Sequence, residues 1–191
     1  MLAVKRCPWA GNDPDYIAHH DNEWGVAVHD DIKLFEMLVL EGFQAGLSWL
    51  TILKKRPAFR VAFRQWDVAR VARFTNKDLW RLMANESIVR NALKIESAVG
   101  NARRVIAVAE EFGSFDSFIW KFTEGKTLTP SKAYSSWKNV PCKTPISAAM
   151  SKDLKKRGFS FVGSVICYSF MQTIGMVDDH VRGCFKCNVR L

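Results

Sequence analysis

The sequence is poor in acidic residues and contains no long apolar run. Only 19 Asp and Glu side chains stand against 28 Lys and Arg side chains, which leaves a formal net charge of +9. This shortage of negative charge favours a polyanionic partner, with nucleic acid first and an anionic membrane surface second. No apolar stretch approaches the roughly 20 residues that a membrane-spanning helix needs. We therefore expect a nucleic-acid partner and no association with the membrane interior.

A secretory signal is also lacking, because residues 1–9 contain no apolar core. This absence predicts a cytoplasmic protein. Five cysteines in such a protein favour metal ligands or buried thiols over a disulfide framework. The 7 tryptophans are many for 191 residues, and tryptophan supplies both core volume and stacking faces for bases.

Strand alternation, internal repeats and low-complexity tracts are absent from the pattern, which predicts an all-α fold and a single domain over residues 1–191. Residues 1–30 are interrupted by Pro and Gly, and we expect them to be irregular. Residues 123–147 are rich in Thr, Ser, Pro and Lys and have no helical period, so we expect an exposed excursion there. Helical pattern resumes at Ser151.

Capping residues predict most helix boundaries between these segments. The expected features are Asp31 capping 32–41, Ser48 capping 49–56, a short helix starting at Pro57, helices over 68–74 and 77–84 after Asp67 and Asn76, one long helix over 87–112 ended by Gly113, and a short aromatic helix over 114–122.

The stretch 34–53 combines a helical apolar face with a carboxylate, Glu41, that lies within the apolar run. Gly42, Gly46 and Trp49 follow it, and then a basic run begins at Lys54. The plain interpretation is a core helix, with Ser48 opening the next one. Glutamate is almost never fully buried without a partner, however, so Glu41 on an apolar face indicates a ligand or a tight internal contact.

Residues 151–171 are predicted to form a helix, a glycine-containing turn and a second helix. Gly158 is placed to end the first helix and Gly163 to begin the second. Exposed amides at that second N-terminus can hold a phosphate, to which the basic run Lys155-Lys156-Arg157 adds charge. This arrangement resembles a helix-hairpin-helix DNA-binding element, with Phe161 where the common hairpin has its first glycine. An ordinary helical hairpin with a solvated basic face is the alternative.

Two Cys/His pairs lie near opposite ends of the chain. Cys7 and His20 belong to the N-terminal segment, whereas His180 and Cys184, four residues apart, would share one face of a helix if that segment is helical. Together they make a Cys₂His₂ set that would close a tetrahedral zinc site and link the two ends. Inert thiols and surface imidazoles are the alternative. Cys187 is a rival ligand, and His19 competes with His20.

These motifs together resemble 3-methyladenine DNA glycosylase I, a family whose pattern is matched in order from Cys7 to Cys184. The matching segments are Cys7-x-Trp9, Asp13-Pro14-x-Tyr16, His20-Asp21-Asn22-Glu23-Trp24-Gly25, Leu40-Glu41-Gly42-x-Gln44-Ala45-Gly46-Leu47-Ser48-Trp49, Lys54-Lys55-Arg56, Lys155-Lys156-Arg157-Gly158-Phe159-x-Phe161-Val162-Gly163, Ile166-Cys167-Tyr168-Ser169-Phe170-Met171-Gln172 and Asp179-His180-x-x-x-Cys184. The match is weakest over 123–147.

The resemblance implies excision of N3-methyladenine from alkylated duplex DNA by base flipping, on an all-α helix-hairpin-helix glycosylase fold. It implies a structural zinc ion on Cys7, His20, His180 and Cys184, with no nucleotide cofactor, and we expect a monomer. The family's base pocket maps onto Tyr16, Trp24, Glu41 and Trp49, with Glu41 as the catalytic residue. The residue that plugs the DNA stack maps onto Leu47 or its neighbour Gly46. Further DNA contacts are expected from Lys155, Lys156, Arg157 and Gly163, on the charge and helix-terminus grounds given above. No convincing lysine nucleophile is present, which favours monofunctional action.

Two positions depart from the family pattern. His19 stands where the family usually has Tyr, and it either lines the pocket or turns away beside His20. Asp178 stands where the family usually has Asn, and this can alter hydrogen bonding beside the metal. A divergent substrate range therefore remains an alternative. Two other interpretations are a non-enzymatic module that binds damaged DNA and a zinc-stabilised protein-interaction domain.

Overall fold

The computed structural model describes residues 4–188, and the regular elements of this part of the chain are helical. They are α1 (Pro14–Asn22), α2 (Asp31–Gln44), α3 (Trp49–Ala62), α4 (Val68–Ala72), α5 (Asn76–Ala84), α6 (Ala92–Phe112), α7 (Phe115–Trp120), α8 (Pro145–Lys156) and α9 (Ser164–Thr173), with short 3₁₀ turns at Pro8–Ala10, Arg64–Trp66, Lys121–Thr123 and Trp137–Asn139. The all-α prediction is confirmed. None of the helices within 4–188 is long and apolar enough to cross a membrane.

Helix α2 is the central element. Every residue from Leu34 to Phe43 is buried, and the helix contacts α3, α6, α7 and α9. Most of these buried side chains are apolar and they lie on every side of the helix, so the helix must be surrounded by protein. Its N-cap is Asp30, whose side chain accepts a hydrogen bond from Lys33 N, so the prediction that Asp31 caps this helix is wrong. The Asp31 carboxylate instead accepts hydrogen bonds from the first two amides of α7.

Helix α3 begins where it was predicted but is longer. Ser48 is its N-cap and accepts a hydrogen bond from Thr51 N. The prediction of a new helix at Pro57 is wrong, because Pro57 lies inside a continuous α3. The buried side chains of Leu53, Arg56 and Phe59 continue one face across the proline, and this packing outweighs its missing N–H.

Other boundaries also differ from the predictions. Thr75, not Asn76, is the N-cap of α5, and α4 ends at Ala72. Residues 87–91 are not helical, since Asn91 caps α6 and the helix starts at Ala92. The end of α6 at Gly113, in the left-handed region at φ +88°, agrees with the prediction. The N-terminal segment is not irregular throughout, as was expected for 1–30, because Asp13 caps α1 and Pro14 occupies its first position.

The excursion between α7 and α8 is mostly exposed but is attached to the rest of the protein. Leu128 makes an isolated parallel bridge with Val177, and Thr127 Oγ1 donates a hydrogen bond to Gly175 O. The excursion ends earlier than predicted, because Thr144 caps α8 and the helix starts at Pro145. Its 3₁₀ turn carries Trp137, a half-buried side chain.

Helices α8 and α9 are joined by a tight turn that packs on α2. Gly158 lies at φ +85°, and Phe161 also has a positive φ of +55°, which is uncommon for a bulky residue. A Cβ atom placed on Gly42 would lie 3.2 Å from Phe161 Cβ. The turn therefore approaches the α2 backbone closely, next to Glu41.

Candidate active site

A cavity of about 250 Å³ lies where α1, α2, α3 and α9 meet the N-terminal turn and the excursion. Its walls contain both aromatic and polar side chains, and they are formed by Trp9, Tyr16, His19, Trp24, Glu41, Gln44, Trp49, Trp137, Ser169, Gln172 and Thr173. All five residues that the sequence assigned to a base pocket are in this set. Trp9, Gln44, Trp137 and the three α9 residues were not predicted.

Glu41 is the acidic side chain of this wall, and it is only 3 % exposed. Its Oε1 accepts a hydrogen bond of 2.7 Å from Thr173 Oγ1, while Oε2 is buried and has no hydrogen-bond partner within residues 4–188. Burial raises the pKa of Glu41 to about 8, and the Thr173 hydrogen bond opposes this only partly. Near pH 7 the free carboxyl is therefore mostly protonated, and a cation that enters the cavity would replace this proton as the partner of the carboxylate.

His19 lines the cavity, as one of its two predicted orientations required. Its Nδ1 lies 2.9 Å from Glu23 Oε2, and its ring centroid is 5.5 Å from that of Trp49. Burial lowers the pKa of His19, although Glu23 opposes the shift. The imidazole is therefore neutral near pH 7, with Nδ1–H donating to the Glu23 carboxylate.

The indole of Trp9 is the centre of the aromatic wall. It contacts Tyr16 at 5.5 Å, Trp24 at 5.1 Å and Trp137 at 6.1 Å between ring centroids. Trp9 Nε1 and Trp49 Nε1 are buried without a hydrogen-bond partner among the described residues. With Glu41 Oε2, this wall contributes two donors and one acceptor that only a ligand or water can satisfy.

The loop between α2 and α3 is exposed from Ala45 to Ser48, next to the cavity. Gly46 has φ +80°, and the Leu47 side chain is 42 % exposed. Buried Lys94 of α6 holds the base of this loop, since its Nζ donates hydrogen bonds of 2.9 Å to Phe43 O and 2.6 Å to Ala45 O. An exposed apolar tip on a fixed base suits insertion between stacked bases.

The predicted basic cluster at the end of α8 contains two exposed lysines and one arginine that is paired within the protein. Lys155 and Lys156 are exposed, and Gly163 is the N-cap of α9. Arg157 is paired within the protein, with Glu111 and with Asp153, and its contact with a phosphate stays a prediction. Its guanidinium also lies 4.9 Å from the Phe112 ring centroid, so this charge holds α8 to α6.

A group of possible metal ligands lies beside the cavity. The ligand atoms of Cys7, His20 and Cys184 are within 4.8 Å of one another, and all three residues are buried. His180 is outside this group, although its ring centroid is 5.2 Å from that of His20. Cys187 is less buried than Cys184.

Both histidine rings are oriented by carboxylates. His20 Nδ1 lies 2.8 Å from Asp21 Oδ1, and His180 Nδ1 lies 2.7 Å from Asp178 Oδ1. His180 Nε2 is buried and lacks a hydrogen-bond partner within residues 4–188. Asp178, which departs from the family pattern, therefore acts on the orientation of His180.

The wall residues that were not predicted differ in how strongly the sequence pattern indicates them. Trp9 belongs to the Cys7-x-Trp9 motif, and Gln44 follows Glu41 by about one helical turn. One face of α9 carries Ser169, Gln172 and Thr173, and only their helical spacing indicates that they lie together. Trp137 had no signal, since the excursion has no periodicity from which its direction follows.

Comparison with known proteins agrees with this site. A family model described as methyladenine glycosylase matches residues 9–187. DNA-3-methyladenine glycosylase 1 of Escherichia coli strain K12 is 48 % identical over 181 residues, which is 95 % of this chain and 96 % of that protein.

Two solved structures have the same fold. A crystal structure of 3-methyladenine DNA glycosylase I superposes with a TM-score of 0.91 at 49 % identity, covering 95 % of this chain and 99 % of that one. The Staphylococcus aureus 3-methyladenine DNA glycosylase I, solved to explain 3-methyladenine recognition, gives a TM-score of 0.90 at 35 % identity, covering 97 % of this chain and 100 % of that one. The chain belongs to the methyladenine glycosylase family.

Proposed function

We propose that this protein is a monofunctional DNA glycosylase that excises N3-methyladenine from alkylated duplex DNA. The observation that carries the proposal is the buried Glu41 carboxyl, with one oxygen unpartnered, in a cavity with aromatic walls. A flipped cationic purine satisfies both features, because indole and phenol faces favour a cation and the carboxylate accepts from its N–H groups.

The reaction requires few catalytic groups beyond those that recognise the base. Methylation at N3 gives the base a positive charge, so when the N9–C1′ bond breaks its electron pair neutralises the leaving purine. Water then adds to C1′ and loses a proton. No strong general acid is needed, and Glu41 acts by stabilising the bound cation and excluding neutral adenine.

DNA binding is assigned to three neighbouring features. The α8–turn–α9 unit serves as a helix-hairpin-helix, with Lys155, Lys156 and the N-terminal amides at Gly163 facing phosphates. Leu47, presented by Gly46, fills the gap left by the flipped base. The α2 helix joins this wedge to the pocket, since it carries Glu41 and ends one residue before Ala45.

Zinc is proposed as a structural ion held by Cys7, His20, His180 and Cys184. The donor set suits it, and His180 Nε2 is a buried polar atom that a metal would satisfy. Asp21 and Asp178 hold the Nδ1 atoms and so leave each Nε2 for the ion, as carboxylates beside zinc-bound histidines commonly do. Four protein ligands leave no open position, so the ion supplies no chemistry to base release.

Base release is the decisive experiment. Purified protein should liberate 3-methyladenine from methylated duplex DNA, with no added metal or nucleotide, and leave the strand uncut. Chromatography of the ethanol-soluble products measures it against a protein-free blank. Binding to the DNA without release of base would favour the non-enzymatic DNA-binding module, and failure to bind DNA at all would favour a protein-interaction domain. We further propose that the protein is cytoplasmic and monomeric. Sedimentation with and without DNA tests the oligomeric state.

A further inference from the structure

A second cavity of about 190 Å³ adjoins the base cavity. The excursion forms one side of it with Val140, Pro141 and Cys142, and α9 forms the other with Val165 and Tyr168. Val165 of this wall lies in the first turn of α9, to which phosphate contacts were assigned above. None of the features described so far uses this space.

Trp137 lies between the two cavities. The walls of both contain Trp137 from the excursion and Ser169 and Gln172 from α9. On the side of the base cavity, the Trp137 ring contacts Trp9 and Trp24, at 6.1 Å and 6.0 Å between centroids. Its indole is the bulkiest part of this shared wall.

The backbone around Trp137 is held by hydrogen bonds that do not involve the indole. Ser136 Oγ accepts from Lys138 N, and backbone hydrogen bonds Asn139 N→Ser136 O and Val140 N→Trp137 O close the 3₁₀ turn. The side chain is half-buried against the cluster formed by Cys7, Trp24, Val181 and Cys184. Truncating it should therefore change the shape of the cavity more than the fold.

We propose that Trp137 sets the size of the base that the site accepts, by separating the base cavity from the cavity beside α9. The proposal rests on the function proposed above and deepens it. With Trp137 in place, only a purine with a small alkyl group fits against Glu41. Without it the two spaces join, and alkylated purines with a larger outline enter.

The test compares alkyl groups on one base. Wild type, Trp137→Ala and Trp137→Phe are incubated with duplex DNA carrying both N3-methyladenine and N3-ethyladenine, and the initial rates of release of the two free bases are measured. Trp80→Ala is the matched control, because Trp80 is 76 % exposed on α5 and lies outside both cavities. Zinc content and thermal melting are measured for each variant.

In Trp137→Ala we expect the ethyl-to-methyl ratio of release rates to rise about tenfold or more, the scale at which pockets discriminate one methylene. Trp137→Phe, which keeps an aromatic wall, and Trp80→Ala should keep ratios close to that of the wild type. An unchanged ratio in a folded Trp137→Ala protein would overturn the proposal.

Free-base binding gives a second measurement if Trp137→Ala releases nothing. Calorimetric affinities for N3-methyladenine and N3-benzyladenine then replace the rates, and the benzyl-to-methyl affinity ratio should rise in the same variant. An unchanged affinity ratio again overturns the proposal. A wild-type protein that binds these bases but releases none would instead refute the glycosylase activity, while the affinity ratio would still decide the role of Trp137.

Discussion

At the level of single residues, Glu41 is the side chain whose charge the proposed activity uses. Glu41→Gln keeps the shape of the side chain and the Thr173 contact but removes the carboxylate. It should weaken the binding free energy of 3-methyladenine and raise the activation barrier for base release, each by about 1–3 kcal/mol, the range for a hydrogen bond to a charged group. General DNA affinity should be unchanged. Glu86→Gln is the control, because that side chain is exposed. Equal rates in wild type and Glu41→Gln would leave Glu41 as a core residue only.

The raised pKa of Glu41, about 8, also predicts a pH dependence of activity. Below that pH the free enzyme carries a neutral carboxyl, and a cationic base must displace its proton. We therefore expect kcat/KM to rise with pH up to about 8 and then level off, since this parameter reports on the free enzyme. In Glu41→Gln the rise should disappear. A profile that is flat from pH 6 to 8 in the wild type contradicts this.

The same pKa predicts how stability changes with pH. The folded protein holds a proton on Glu41 that the unfolded chain releases at its ordinary pKa of 4.5, so stability from this group falls as pH rises from about 4.5 to about 8. The total decline is on the order of a few kcal/mol, since one pKa unit corresponds to about 1.4 kcal/mol. Urea unfolding of wild type and Glu41→Gln across this range should show the variant gaining relative stability with pH. A constant difference would argue against a raised pKa.

At the level of elements, Lys94 joins α6 to the end of α2. Lys94→Met keeps the aliphatic stem but removes the donor to Phe43 O and Ala45 O, which should cost about 1–3 kcal/mol of stability. The loop that carries Leu47 should loosen, and binding to duplex DNA should weaken more than binding to the free base. Lys77→Met, at an exposed position of α5, is the control. Equal losses for DNA and free base would remove Lys94 from the support of the wedge.

The three basic residues at the end of α8 are expected to play two different roles. Lys155→Ala and Lys156→Ala should each lower the slope of log affinity against log salt by about 1, as expected for phosphate contacts. Arg157→Ala should leave that slope unchanged and lower the melting temperature, because its partners Glu111 and Asp153 belong to the protein. A lower slope in Arg157→Ala would show that this side chain leaves its partners to bind DNA.

Local capping made several element boundaries predictable. Ser48, Asp67 and Gly113 were identified because their side chains or conformational freedom act within one turn. The continuity of α3 through Pro57 could not be predicted in this way, because it depends on the packing of Phe59 and its neighbours against helices distant in sequence. For the same reason Glu41 could be identified by its place on an apolar face, whereas Trp137 could not, because the path of an aperiodic loop is decided by long-range contacts.

At the scale of the whole molecule, the proposed zinc ion joins segments from the two ends of the chain. Elemental analysis should find one zinc ion per chain. Its removal by a strong chelator should lower the melting temperature and the affinity for 3-methyladenine, because Trp9 and Trp24 of the base cavity adjoin the proposed zinc ligand His20. Folded, active protein free of zinc would contradict the proposal.

The choice of thiol can be tested separately. Cys184→Ala should lose the ion, whereas Cys187→Ala should retain it, because Cys184 Sγ lies 3.4 Å from His20 Nε2 and belongs to the compact group. The opposite result would make Cys187 the ligand.

The close approach of Gly42 to Phe161 has a consequence for how this molecule can change during evolution. Any side chain at position 42 would meet the Phe161 Cβ at 3.2 Å, on the helix that carries Glu41. Positions 42 and 161 are therefore expected to covary: a homologue that acquires a side chain at the first should carry glycine at the second. A side chain gained at position 42 alone would shift the α8–α9 turn relative to the base cavity, so substitutions at the two positions should occur together.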